Sequence, residues 1–281
     1  MPSSPVDDRI LNDGSRLPPI GLGTFSMTGP SGVDDVVDGI EQGYRLLDTA
    51  HAYGNEAEVG EAMRRSPVPR SELTVTSKLR GRDHGYDDAI RSVRDSVERL
   101  GVDRIDLHLV HWPNPRVGRF VEAWRALVQL RDDGLVRSIG VSNFTEDHLR
   151  RVIDATGVIP AVNQIEIHPA FPQEEMVRVD AELGIATQAW SPLGNDRPML
   201  DHPVLVSLAE RHGRTTAQVV LRWHLQRGLV PIPRSRSHAR RAENLAVFDF
   251  VLTDEDMRAI AGLARSDGRL FGGDPDTHED M

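Results

Sequence analysis

Cysteine is absent from this chain of 281 residues, which removes disulfides, thiolate nucleophiles and zinc–thiolate sites at once and agrees with a reducing cytosol. Positive charge is also short. The formal net charge of -10 and the lack of a long basic run disfavour a nucleic-acid partner, because phosphate recognition needs a basic face. The one basic cluster, Arg234 to Arg241, is brief. No apolar stretch approaches the ~18 residues of a spanning helix, and Met1 to Ile10 holds no apolar core fit for a signal peptide. A cytoplasmic protein without a membrane partner is expected. No linker rich in Pro, Gly or Ser divides the chain, so residues 1–281 read as one domain, a length that barrel folds commonly reach as a single unit. With 39% hydrophobic and 27% charged residues, a full buried core is available.

What is present is an alternation. Asn12-Asp13-Gly14, between Arg9-Ile10-Leu11 and Arg16-Leu17, predicts a hairpin, since Asn and Gly tolerate positive φ. It would cap one end of a barrel. Eight short apolar runs follow, at 20–24, 46–49, 73–78, 105–110, 136–141, 162–165, 185–189 and 229–232, separated by amphipathic segments. Helices are predicted at 87–100 and 120–133, followed by Gly101 and Gly134, residues suited to a left-handed cap. Eight βα units in one uninterrupted series point to a (β/α)₈ TIM barrel with an N-terminal hairpin and a short C-terminal tail.

Barrel enzymes place their chemistry at the C-terminal ends of the strands, so the residues that end each run are the informative ones. They are Asp48, Lys78, His111, Ser142 and Asn143, Gln164, Trp190 and Ser191, then Arg234 and Ser235. Singly, each has an ordinary reading as a cap, a solvated end or a core histidine. An acid, a lysine and a histidine at successive strand ends are better explained by a common site. Three rivals arise from the same residues. A metal-dependent hydrolase is suggested by Asp106, His108 and His111, although histidines three apart on a strand face opposite ways. Lys78 also suits a Schiff-base aldolase, and a non-catalytic regulatory subunit built on the same fold is the third. Gly21-Leu22-Gly23-Thr24-Phe25-Ser26 has a serine where a dinucleotide turn needs its third glycine, which argues against a Rossmann fold.

The segment from Leu47 to Glu56, with Asp48 and Tyr53 five positions apart, resembles the signature of the aldo-keto reductase family. So do Lys78 after Thr74-Val75-Thr76-Ser77, His111-Trp112-Pro113, Gly140-Val141-Ser142-Asn143-Phe144, Asn163-Gln164-Ile165-Glu166, and Ile232-Pro233-Arg234-Ser235 with Arg240 and Glu243-Asn244, in the family's order. The likeness spans about residues 7–265 and is strongest to the bacterial branch that includes 2,5-diketo-D-gluconate reductases.

The resemblance implies NADPH-dependent reduction of aldehydes or ketones, with diketo sugars and dicarbonyls among the candidates, by a monomer. It implies Asp48, Tyr53, Lys78 and His111 as a catalytic tetrad, with Tyr53 as proton donor. The cofactor residues it implies are Gly23, Thr24, Ser142, Asn143, Gln164, Trp190, Ser191, Leu193, Gly194, Arg234, Ser235, Arg240 and Asn244; Phe25 and Trp112 would face substrate. Two positions depart from the common pattern, Trp190 for a tyrosine and Arg234 for a lysine. A guanidinium still binds phosphate, often through two hydrogen bonds. For Arg236 and Arg241 the alternative is a solvated helix start. Pocket loops are expected at 112–120 and 194–200 and in the tail from Arg265 to Met281, where Arg116 and Arg119 could meet a carboxylate and the acids Asp274, Asp276, Glu279 and Asp280 would be solvated.

Overall fold

A computed structural model of the chain describes residues 8–194 and 197–280. The start of the N-terminal segment, two residues of the expected 194–200 loop and Met281 of the tail lie outside the described residues. The predicted hairpin is present: β1 (Arg9–Ile10) and β2 (Arg16–Leu17) pair antiparallel, with Ile10 opposite Arg16. Gly14 in its turn has φ 82°, a conformation a side chain would resist. Leu11 and Leu17 are buried against Leu46, Val162, Ala186 and Val230, each the first residue of a strand. The hairpin therefore plugs the N-terminal mouth with apolar side chains.

All eight apolar runs are strands. They are β3 (Gly21–Gly23), β4 (Leu46–Asp48), β5 (Thr74–Leu79), β6 (Ile105–Val110), β7 (Val136–Ser142), β8 (Val162–Glu166), β9 (Ala186–Trp190) and β10 (Val230–Ile232), hydrogen-bonded in chain order and parallel throughout. Periodicity alone left closure open. The structure shows the Gly23 amide donating to the Pro233 carbonyl at 3.0 Å, just past β10, which brings the first and last strands together. Packing at this seam is close: a Cβ on Gly21 would lie 2.6 Å from Ile232 Cδ1 and 2.9 Å from Leu46 Cγ, and both side chains would have to shift.

Helices alternate with the strands: α1 (Gly29–Gln42), α2 (Glu56–Arg65), α3 (Tyr86–Leu100), α4 (Phe120–Asp132), α5 (Glu146–Thr156), α6 (Glu174–Glu182), α7 (Arg197–Leu200), α8 (Pro203–His212), α9 (Thr216–Gln226), α10 (His238–Leu245) and α11 (Asp254–Ala261). Helix α3 shows why they form. Ala89, Ser92, Val93, Ser96 and Leu100 recur at helical spacing and are buried as one stripe, while Asp87 and Asp88 sit in the first turn, where the helix dipole favours negative charge. No described helix is long and apolar enough to cross a membrane.

Candidate active site

The parallel closure brings residues more than a hundred positions apart to one mouth. Asp48 ends β4, Lys78 lies one residue from the end of β5, and His111 directly follows β6. Tyr53 sits on a short 3-10 turn, His51–Tyr53, just beyond β4. Lys78 is almost fully buried, which is tolerable for an ammonium only if every proton finds an acceptor. Each does: Nζ is 2.5 Å from Asp48 Oδ1, 3.0 Å from the Thr49 carbonyl and 3.5 Å from the Tyr53 hydroxyl. The other carboxylate oxygen of Asp48 accepts from Gln164 Nε2 at 2.7 Å, so the buried anion is satisfied too.

These contacts set the protonation of the pair. Burial works against the Lys78 ammonium, but Asp48 and Tyr53 outweigh it and hold its pKa above the ordinary lysine value. Burial, joined by the negative charge of Asp48 and Asp280, keeps the Tyr53 phenol above its usual pKa, while Lys78 pulls the other way. Tyr53 is therefore protonated near neutral pH, and Lys78 is the group that would favour its phenolate. The sequence contains no other lysine. The aldolase reading loses support here, since a Schiff base needs a neutral amine and this one is a fully committed ammonium.

Above these side chains lies a cavity of about 530 Å³, lined among others by Gly23, Thr24, Phe25, Trp112 and Phe271. A continuous hydrogen-bonded chain organises its far wall. Ser142 Oγ donates to the Gln164 carbonyl at 2.7 Å, Asn143 Nδ2 donates to the His111 carbonyl at 3.0 Å, and Trp190 Nε1 donates to Asn143 Oδ1 at 2.8 Å. The indole is thereby fixed at the cavity wall with a flat apolar face available. Asn143 and Ser191 both adopt positive φ, 60° and 47°, which is costly for residues with side chains and is found here at the mouth itself. Leu193 and Gly194 complete this side.

The model of the aldo/keto reductase family matches residues 19–265. The chain belongs to this family. It is 53% identical to a protein named 2,5-diketo-D-gluconic acid reductase B from Corynebacterium sp. (strain SHS752001), with both chains covered completely. It is 44% identical to morphine 6-dehydrogenase of Pseudomonas putida, covering 94% of this chain and 93% of that one. Among solved structures, a mutant of Gox0644 in complex with NADPH superposes with a TM-score of 0.92 at 44% identity, covering 97% of this chain and 98% of that chain. Membership makes this chain an oxidoreductase of aldehyde and ketone carbonyls.

Not every residue expected at the site of this aldo-keto reductase lines the cavity. Arg234 does, with Nη1 2.6 Å from Ser26 Oγ and its guanidinium 5.9 Å from the Phe25 ring centroid. Ser235, Arg240 and Asn244 lie beyond its wall, and Asn244 is buried. Arg241 is not part of a solvated helix start. It is 3% exposed and pairs with Asp35 and Asp38 of α1, while Arg236 also pairs with Asp35 and His238 with Asp38. The metal-hydrolase triplet does not assemble. Asp106 sits at the opposite end of β6, where Arg70 and Arg137 hold it, and burial pushes His108 down to about 4, well below ordinary histidine.

The tail departs most from expectation. Asp280 is not solvated: its carboxylate oxygen lies 2.9 Å from His111 Nδ1. Glu279 accepts from the Arg116 amide at 2.7 Å, His278 stacks against Trp112 at 4.2 Å, and Phe271 reaches the cavity wall. Arg119 pairs with Glu122, one turn along its own helix. Sequence reading missed Asp280 and Phe271, for the tail carries no periodic pattern that would seat it on the mouth.

Proposed function

We propose that this aldo-keto reductase reduces small aldehydes, ketones and dicarbonyls to alcohols with NADPH, using Tyr53 as general acid. One observation carries the reading: the Tyr53 hydroxyl stands on the floor of the cavity within reach of a buried Lys78–Asp48 ion pair. When bound, NADPH supplies the hydride. The cavity residues suit that cofactor. Trp190 offers a fixed flat face for the nicotinamide ring, and Asn143, Ser142 and the Gln164 side-chain oxygen offer polar partners for its carboxamide. Ser191, Leu193 and Gly194 would contact the pyrophosphate, with Gly194 allowing close backbone approach.

The substrate carbonyl oxygen then faces Tyr53 Oη and the His111 ring, whose centroid lies 6.0 Å from that of Tyr53. As negative charge grows on that oxygen, Tyr53 gives up its proton, and the Lys78 ammonium stabilises the phenolate left behind. Asp48 keeps Lys78 charged and aimed. Phe25, Trp112 and Phe271 offer aromatic surfaces at the cavity wall against which the body of the substrate can pack. That a relative 53% identical is named for a diketo acid favours including diketo sugars in the substrate panel. The test is a set of aldehydes, ketones and diketo sugars assayed by NADPH oxidation. If purified protein saturated with NADPH turns over none of them, the reading is lost.

The charge pattern also selects the cofactor contacts. Within 234–241, Arg236 and Arg241 are paired with acids of α1 and His238 contacts Asp38, whereas Arg234 and Arg240 have no carboxylate partner among the described residues. These two are the arginines available to a 2′-phosphate. Replacing both by Ala should weaken NADPH binding far more than NADH binding, since a charge-assisted contact contributes about 1.5–3 kcal/mol, and added salt should narrow the preference of the native enzyme. Equal loss for both cofactors, measured by titration of Trp fluorescence, would refute the assignment.

A further inference from the structure

Behind the candidate tetrad, the tail reaches back into the site, and its path is held by three backbone contacts. The Gly81 amide donates to the Asp280 carbonyl at 2.9 Å, Asn114 Nδ2 donates to the same carbonyl at 3.0 Å, and the Asp280 amide donates to Asn114 Oδ1 at 3.2 Å. The cradle admits no side chain at its floor: a Cβ on Gly81 would fall 1.8 Å from Asn114 Nδ2 and 2.1 Å from the Asp280 carbonyl. Upstream, the Leu270 amide donates to Glu166 Oε1 at 2.6 Å, and Gly273 packs so closely on Trp112 that a Cβ would lie 2.8 Å from its ring. The backbone of Asp280 is thus anchored without help from its carboxylate.

That carboxylate is then free for another task. The Asp280 Oδ2 and His111 Nδ1 atoms are buried and in ion-pair contact at 2.9 Å, without hydrogen-bond alignment, and neither has a hydrogen-bond partner among the described residues. The geometry points to Asp280 as a positioning residue that acts through His111, holding the imidazole by Nδ1 so that Nε2 is the nitrogen presented to the substrate carbonyl. This rests on the proposed role of His111. A neutral imidazole that donates from Nδ1 has only a lone pair at Nε2, which would repel a carbonyl oxygen. A ring that offers a proton from Nε2 suits a carbonyl oxygen, and the carboxylate beside Nδ1 fixes the edge that the ring turns to the cavity.

Asp280 also faces the proton donor. Its negative charge helps hold Tyr53 protonated, alongside that of Asp48 and against Lys78. The remaining titratable or charged groups around the pair are His84, which burial pushes down to about 4 and leaves neutral, His278 of the tail, and Asp83 and Arg119 beside His84. Burial would raise Asp280 itself, but its close contact with His111 and the nearby His278 overcome this and hold it below the usual carboxylate range. It is an anion under assay conditions. Removing that charge disfavours the protonated Tyr53.

The test compares D280N, H111N and the double variant as NADPH-loaded full-length enzymes. For D280N the alkaline limb of kcat/KM should move to lower pH by about one unit, with kcat/KM falling about tenfold on that limb and NADPH affinity unchanged. Below that limb D280N should also lower kcat/KM, and in the H111N background this loss should shrink to less than about twofold, because residues acting through one another are not additive, while the limb, set by Tyr53, should still move. Hydrogen exchange at the Gly81 amide reports tail docking and should remain slow in D280N. If H111N is impaired while D280N keeps native kcat/KM and a native alkaline limb, the role of Asp280 fails and that of His111 stands. If H111N turns over normally, both fail. Loss of Gly81 protection together with activity would also overturn the proposal, because the carboxylate would then be a tail anchor.

Discussion

Replacing Tyr53 by Phe should lower kcat/KM for reduction by at least ~10²-fold while leaving NADPH binding near native. The substitution removes only the hydroxyl, and the ring keeps its edge contacts with Phe25 at 5.1 Å and His111 at 6.0 Å. Cavity shape and the Trp190 wall, which sits beyond Asn143, are undisturbed. Trp fluorescence should therefore report native cofactor affinity in an enzyme that has lost its acid. In the native enzyme the phenol pKa lies above its ordinary value, so Tyr53 keeps its proton through neutral pH, and reduction should fade only as pH rises through that raised value. A Tyr53→Phe enzyme with native turnover, in conditions where chemistry limits the rate, would transfer the acid role to another group.

Lys78→Met is expected to affect both chemistry and stability. The Tyr53 hydroxyl remains, but no positive charge meets the developing phenolate, so kcat/KM should again fall by ~10² or more. The same change leaves Asp48, 4% exposed, as a buried carboxylate without its cation, and breaking a buried pair on one side costs about 3–5 kcal/mol. Adding Asp48→Asn should recover much of that stability, since Asn is neutral, without recovering turnover. Chemical denaturation and steady-state kinetics on the single and double variants separate the two losses. If the double variant is no more stable than Lys78→Met, the pair is not the source of the cost. In the native protein the pKa of Lys78 is raised on folding, so its stabilising share is complete below the ordinary lysine pKa and is lost as pH climbs through the raised one. Acidification to pH 6 should leave that share intact.

Single lysine content sharpens one more comparison. Because Lys78 is the sole lysine, borohydride trapping of a carbonyl substrate could modify no other side-chain amine, and the committed ammonium predicts that Lys78 will not be trapped. The rival reading of Lys78 as an imine-forming nucleophile is thus open to a clean experiment.

The sequence by itself determined the elements and the order of the chemical groups. Eight apolar runs became eight strands, Asn12-Asp13-Gly14 became the hairpin, and Gly101 follows α3 with φ 63°. These features are local: they depend on side-chain alternation, helical spacing and the freedom of glycine to adopt positive φ, all of which act within a few residues. The meeting of Asp48, Lys78 and His111 was legible because a parallel barrel sends every strand end to the same mouth, so a one-dimensional list of strand ends is already a list of neighbours. Other pairings have no local cause. Arg241 looked like a surface helix residue until α1 set Asp35 and Asp38 beside it. Asn143 and Ser191 take left-handed backbone conformations that no glycine announced. Asp280 reads as one acid in an acidic tail, yet the folded chain sets it 2.9 Å from His111 because the gap between Gly81 and Asn114 accepts the tail backbone there. Only tertiary structure could decide these three, since each depends on the space left by elements remote in the chain.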